Sequence, residues 1–279
     1  MKKIIILGSS GFLSQNLYLY LNNKFEITMV GRKKFDIKLD YNNKSELIKI
    51  LNRKKYDALI NCVGLANVEK CEKNKNLAYK VNVEFTKNIV DAIKSSKHSV
   101  HLIHFSTDHI YSKKGYSNEN EFNIINNYAE TKLLGEVYAS KIKSTILRTN
   151  FFGKSKHKYK KSLSDWIVES LKMEKKIYVF KDIYFNPISL LTLSKIIDII
   201  INKKIKGIFN IGSKEGLSKS KFAYKVAKYH NLNHKLLIKE NSNNFLKVAR
   251  PKDMRMDCEK FKKMFKFNLP SIDDEIINT

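Results

Sequence analysis

What most limits the fold open to this chain is the spacing of its apolar runs. Ile4–Gly8, Phe25–Val30, Asp57–Val63, Ser99–Ser106 and Ser144–Thr149 each have the length and make-up of a buried strand. Stretches of helical periodicity stand between them: Phe12–Leu21, with apolar residues at 13, 17 and 21, then Lys44–Leu51, Leu77–Ile93 and Tyr128–Ser140. Strands that alternate with helices form βαβ units, and such units build a parallel sheet wound on both faces. The predicted class is therefore α/β. Beyond residue 150 the alternation loosens, with strands at Lys176–Phe180 and Gly207–Ile211 and helices at Leu193–Ile201 and Lys219–His230. There is no internal repeat and no low-complexity linker.

At 279 residues the chain can bury a substantial core, and its 43% hydrophobic and 11% aromatic content is that of a globular protein. No run approaches the roughly 18 apolar residues of a membrane span. MKKIIIL begins like a signal peptide, but its apolar run stops at Gly8-Ser9-Ser10-Gly11 without a small-residue cleavage site. Three cysteines, Cys62, Cys71 and Cys258, lack a regular spacing, so reduced thiols and a cytoplasmic location are expected. The 53 Lys and Arg against 27 Asp and Glu give a net charge of +26. Because the lysines are spread along the chain, with KSKHKYKK (154–161) the one dense run, they favour anionic ligands without marking a nucleic-acid or membrane binder.

Two short motifs carry chemistry. Gly8-Ser9-Ser10-Gly11 joins the first strand to the first helix, where glycines let the backbone turn tightly and approach a pyrophosphate at the helix's positive end. Ser14 stands where a third glycine would ease helix–strand packing, and it is expected to loosen that packing slightly. Tyr128 and Lys132, at i and i+4, share a helix face, and the ammonium can draw the phenol's pKa down from about 10 toward neutrality. The same spacing recurs at Tyr20/Lys24 and Tyr224/Lys228. Tyr128 differs in opening a helix one βα unit after Ser106-Thr107-Asp108, which lies at the carboxyl end of a sheet strand, where ligands of such sheets bind.

FSTDHIY and YAETKLLGE resemble the extended short-chain dehydrogenase/reductase superfamily, and within it the dTDP-4-dehydrorhamnose reductase-like branch. GSSGFLS, FDI at 35–37, INCVGLANVEKCE at 60–72, VN at 81–82, LRTNFFG at 147–153 and RPKDMRMD at 250–257 extend the likeness over nearly the whole chain. The resemblance implies a Rossmann-type domain over 1–150 that binds NAD(P). It implies a smaller α/β substrate-binding part over 151–279, some of whose elements pack back on the sheet. Tyr128 is then the acid/base, Lys132 binds the nicotinamide ribose, and Thr107 hydrogen-bonds the reacting carbonyl. Gly8, Ser10, Gly11, Phe12 and Leu13 would hold the pyrophosphate, Asp36 and Ile37 would approach the adenine, and Cys62, Val63 and Gly64 would line the cofactor. Asp108, Asn150 and Arg250 would meet the substrate, a nucleotide-linked 4-keto-6-deoxy sugar of surface-polysaccharide synthesis. The resemblance also allows a homodimer.

The cofactor can be argued from charge. An acid ending the second strand would bind a ribose 2′-hydroxyl, whereas Val30-Gly31-Arg32-Lys33-Lys34 is basic and suits a 2′-phosphate. NADPH is therefore expected over NADH, hinging on Arg32. In the substrate half, Asp182-Ile-Tyr-Phe-Asn-Pro187-Ile188 keeps the Asp and Pro of the branch's D-Q-x-x-x-P-T element but not its Gln or Thr. Leu65-Ala66 replaces a Tyr-Thr. These losses leave the sugar open, and with it an epimerase or dehydratase activity or a non-catalytic regulatory role. His101, His104, His230 and His234 have no third ligand at metal spacing, so no catalytic metal is expected. Trp166, in helical register with Ile167 and Leu171, is expected in the core, on a stretch that can also edge the substrate cleft.

Overall fold

The computed structural model describes residues 1–32, 35–155 and 161–279. Lys33 and Lys34, and residues 156–160 of the basic run, lie outside the described residues. Through residue 149 the elements in chain order are β1 (Lys3–Leu7), α1 (Phe12–Leu21), β2 (Glu26–Gly31), β3 (Ile37–Lys38), α2 (Lys44–Arg53), β4 (Ala58–Asn61), α3 (Val68–Lys73), α4 (Lys75–Tyr79), α5 (Phe85–Ser95), β5 (His101–Phe105), α6 (Asn127–Ala139) and β6 (Ser144–Thr149). There follow β7 (Phe151–Phe152), α7 (Leu163–Lys172), β8 (Ile177–Phe180), β9 (Tyr184–Phe185), β10 (Ile188–Ser189), α8 (Leu190–Lys203), β11 (Gly207–Ile211), β12 (Leu217–Ser218), α9 (Lys219–Tyr229), β13 (Leu237–Glu240), α10 (Glu259–Phe265) and α11 (Ile272–Ile276).

Seven strands form one sheet in the order β11-β6-β5-β4-β1-β2-β3, with parallel pairing from β6 through to β3. Ile4, Ile5, Ile6 and Leu7 have no exposed surface. Successive side chains of a strand point to opposite faces, so total burial of four in a row means that both faces of β1 are covered. One face is plain: Ile5 and Leu7 share a cluster with Leu47 and Ile50 of α2 and with Ile89 and Ile93 of α5. The doubly wound parallel sheet expected from the alternation of runs is present. Its strand order reverses at β1, where Leu7 lies opposite Val30 of β2 on one side and Asn61 of β4 on the other. The chain therefore leaves β1 and β4 at the same sheet edge, side by side at the switch point where such sheets bind ligands.

The single helix expected over 77–93 is three pieces, because a π turn at Lys80–Glu84 separates α4 from α5. Apolar spacing does not report the inserted turn, which carries Asn82. The Asn82 side chain accepts from Leu65 N–H at 2.8 Å and donates to Thr131 Oγ1 at 3.0 Å, tying the turn to α6. A Cβ on Gly135 of α6 would lie 2.7 Å from the Asn82 carbonyl oxygen, so glycine there allows the two segments to approach.

The chain forms two compact units. One comprises Met1–Thr107, Asn126–Arg148 and Ser194–Phe209, and the other Asp108–Ile125, Thr149–Leu193 and Asn210–Thr279. In the second unit, Ile167 and Leu171 of α7, Phe222 and Val226 of α9, and Ile177 and Val179 of β8 make one core. Trp166 is not part of it. At 39% exposed it lines a groove of about 370 Å³ with Tyr178, Phe180, Lys219 and Phe245, which corrects the expected core placement. Glu275, 1% exposed, fastens α11 by accepting from Ser189 N–H and from Thr192 Oγ1. β13, which pairs parallel to β8, was hidden because its Leu237-Ile238-Lys239-Glu240 is too short and polar to stand out.

Gly135→Ala is expected to lower unfolding stability by about 1–3 kcal/mol in urea titration, the usual cost of forcing a group into a filled site; unchanged stability would mean that α6 shifts freely.

Candidate active site

In the first unit, the loop after β1 starts with Gly8 at φ +90°, a conformation that side chains resist, and a Cβ there would lie 3.2 Å from the Cys62 main chain. Ser14 is fully buried, and its hydroxyl lies 2.5 Å from the Gly8 carbonyl oxygen and 3.0 Å from that of Gly11, both acceptors. The same oxygen accepts from Gly11 N–H at 3.1 Å. The expected loosening is therefore corrected: where a third glycine would leave space, serine stitches the turn to the first turn of α1. The buried Ser9 Oγ in this loop has no hydrogen-bond partner among the described residues. No acidic residue sits in the first turn of α1. A tight glycine turn and an uncompensated helix N-terminus fit a bound anionic group such as a dinucleotide's pyrophosphate.

Two further loops complete this edge. After β4, Val63 N–H bonds to Asn61 Oδ1 at 3.1 Å, and Cys62 and Gly64 lie alongside. A Cβ on Gly64 would stand 3.8 Å from Lys132 Nζ, so this loop passes close to the lysine. After β2, the exposed Arg32 holds its guanidinium 5.8 Å above the Tyr41 ring, which stacks on Phe85 at 4.3 Å between centroids. Burial raises the Tyr41 phenol pKa, with Arg32 opposing. Asp36 turns its carboxylate onto Met29 N–H at 2.7 Å, pairing the β2 backbone just before β3 begins with Ile37.

Thr107, 3% exposed, follows β5. Tyr128, half-buried, opens α6 after Asn126, whose side chain caps the helix by accepting from Ala129 N–H at 2.9 Å. Lys132 lies one turn on, 6% exposed, and its ammonium donates to the Phe105 carbonyl at 2.6 Å. Burial pulls its pKa down to about 8, with Glu136 the largest opposing influence. Beneath it His104 is held well below its usual value, first by burial and then by Lys132. Its Nδ1 lies 3.2 Å from the Asn61 side-chain nitrogen. His101 is pulled to about 4, by burial first, and sits 2.7 Å from Thr145 Oγ1. Both imidazoles are neutral parts of the sheet.

In the second unit, Asn150 donates to the Asp108 carboxylate at 2.9 Å, and Asp108 is 1% exposed. Arg250 reaches the Val248 carbonyl at 3.2 Å, and its charge also acts on His109 and Lys219. Burial first, then Lys219 and Arg250, keep His109 down at about 3. Lys219 is pulled below its usual range by burial, with Asp108 opposing. Lys219 was not expected at a site, since its sequence reading was simply the start of a helix. Asp182 is committed to Ser242 and Lys252, the lysine 2.6 Å away, and Asn186 to the main chain of Ser213 and Met256. The DIYFNPI element thus acts as a brace. A cavity of about 680 Å³ near Tyr116, Lys214, Cys258 and Lys262 contains none of the expected site residues.

The sequence profile of the RmlD substrate binding domain matches residues 1–278. The chain belongs to that family. Among similar proteins, the dTDP-4-dehydrorhamnose reductase of Aggregatibacter actinomycetemcomitans is 27% identical over 171 residues, 58% of this chain and 56% of that protein. A probable low-salt glycan biosynthesis reductase of Haloferax volcanii is 22% identical over 67% of this chain and 64% of its own length. The match thus spans somewhat over half of these relatives. The solved dTDP-4-dehydrorhamnose reductase of Bacillus anthracis, in complex with NADP, has a TM-score of 0.90 at 23% identity, covering 99% of this chain and 98% of that one. A hypothetical dTDP-4-dehydrorhamnose reductase from Sulfolobus tokodaii has a TM-score of 0.83 at 28% identity, covering 97% of both. Among the described residues no helix is long and apolar enough to cross a membrane.

Ser14→Ala should cost about 1 kcal/mol of stability, the usual worth of such a hydrogen bond, and weaken dinucleotide binding measured by calorimetry; unchanged affinity would show that the stitch is dispensable.

Proposed function

We propose that the protein is an NADPH-dependent reductase of a nucleotide-linked 4-keto-6-deoxy sugar, acting in polysaccharide biosynthesis. The observation that carries this reading is Lys132, a buried ammonium fixed on the Phe105 carbonyl one helical turn from Tyr128, beside the strand end that holds Thr107. On the same helix face, Lys132 is the cation placed to assist Tyr128 as proton donor. Thr107 takes the substrate's carbonyl oxygen by hydrogen bond, and Tyr128 delivers its proton to that oxygen. Bound NADPH supplies the hydride to the sugar C4. The protein contributes orientation and one tuned proton.

Gly8, Ser10, Gly11, Phe12 and Leu13 hold the pyrophosphate on the start of α1. Asp36 and Ile37 flank the adenine through their main chain, since the Asp36 carboxylate serves Met29. Arg32, steadied on Tyr41, takes the 2′-phosphate. Cys62, Val63 and Gly64 form the wall along the nicotinamide ribose, which Lys132 also binds. Within the second unit, Asp108, Asn150, Arg250 and Lys219 make a polar set whose two cations suit a diphosphate. The aromatic groove of Trp166, Tyr178 and Phe245 suits the face of a nucleobase.

Tyr128→Phe should remove turnover at least about a hundredfold, the low end of what a positioned acid contributes, while NADPH still binds by fluorescence; retained turnover sinks the role of Tyr128. Arg32→Ala should raise the KM for NADPH about tenfold or more and leave that for NADH nearly unchanged, as loss of one charge-assisted pair implies. Equal effects on both cofactors would remove Arg32 from the phosphate.

A further inference from the structure

Glu136 is a carboxylate with 1% of its surface exposed, four residues after Lys132 on α6, so the two share one helix face. Arg148, 2% exposed near the end of β6, grips it from two sides. Its Nε lies 3.0 and 3.1 Å from the two carboxylate oxygens, and a terminal nitrogen lies 2.7 Å from Oε2. Ser106 Oγ donates to the same carboxylate. Ser106 immediately precedes Thr107, and Phe105, just before it, carries the carbonyl that receives the Lys132 ammonium. One buried carboxylate is thereby tied to the strand end that presents Thr107 and sits one turn from the lysine.

A buried ion pair contributes little net stability over an apolar replacement, because removing both charges from water offsets their attraction. Its presence under the catalytic residues calls for another role. We propose that Glu136 is a positioning residue: through Ser106 it holds the strand end so that Thr107 keeps its aim, and it keeps the neighbouring Lys132 ammonium charged in a dry site. The first half rests on the reductase reading, whereas the second does not.

The groups that face Lys132 support this assignment. They are Cys62 after β4, Cys71 on α3 and His104 on β5, besides Glu136, which pairs with Arg148 from β6. Burial pushes the Cys62 thiol far up and His104 far down, so neither is charged at neutral pH. Glu136 is the carboxylate among the influences on Lys132, and removing its charge makes proton loss easier for Lys132.

The test is a side-chain NMR titration of the full-length protein labelled in its lysines, with the Lys132 signal identified by its loss in Lys132→Arg. In Glu136→Gln the Lys132 midpoint should fall by about one pH unit or more, the order of effect of a nearby opposite charge. The alkaline limb of the reductase pH profile should move down with it. An unmoved midpoint overturns the proposal. Should Glu136→Gln fail to fold, Glu136→Gln/Arg148→Gln removes both charges together; its midpoint should still lie below wild type, and an equal one overturns the proposal. Ser106→Ala should lower kcat while leaving the Lys132 midpoint and the KM for NADPH in place, and an unchanged kcat removes the strand-end role. A wild-type protein without turnover but with the expected shift in Glu136→Gln fails the reductase reading alone; an active wild type with an unmoved midpoint overturns the proposal and leaves the reductase reading standing.

Discussion

The burial of β1 between β2 and β4 is the constraint on which the rest of the first unit depends. Four consecutive aliphatic residues without exposed surface need helices on both faces and parallel strands on both sides. Once those are in place the strand order must reverse at β1, and the loops after β1 and β4 leave the sheet together. The Gly8–Gly11 turn, the Cys62–Gly64 loop and the strand end at Thr107 then follow from topology. What remains for local chemistry is their fine placement. Gly8 is set by its left-handed φ, the Gly11 amide by Ser14, and the Val63 amide by Asn61.

The first unit also keeps charge out of water. Lys132, Glu136 and Arg148 are all nearly inaccessible, and none would be stable there alone. They coexist because each has a partner: the lysine has the Phe105 carbonyl, and the glutamate has the arginine and Ser106. With Lys132 pulled down to about 8, its charge is near its tipping point at physiological pH, a setting suited to proton transfer. His101 and His104, which share the sheet, are held neutral by burial and take no part in that exchange.

Much of this was legible in the sequence, and the parts that were not have physical reasons. The strands at Ser144–Thr149 and Gly207–Ile211 and the helix Phe12–Leu21 have the bounds read from the sequence. The π turn was invisible because an inserted residue changes hydrogen bonding without changing composition. Asn82 stood within a quoted landmark, VN, yet its bridge between Leu65 and Thr131 required the fold to bring residues far apart in sequence together. Ser14 was misread because volume was weighed and hydrogen bonding was not. Trp166 lines a groove instead of the core because helical register with Ile167 gives a neighbour, not a face. Glu136 closes the quoted YAETKLLGE stretch, but its partner Arg148 comes from a separate strand, and no local rule joins them.

The central claim is that this site moves a hydride onto a sugar carbonyl. Its most direct measurement uses NADPH carrying deuterium at the transferable C4 position of the nicotinamide, with a nucleotide-linked 4-keto-6-deoxy sugar as acceptor. The account expects one deuterium at C4 of the product sugar, located by NMR, with matching loss from the cofactor. A sugar recovered unreacted across a panel of such acceptors, or deuterium at another carbon, would contradict it.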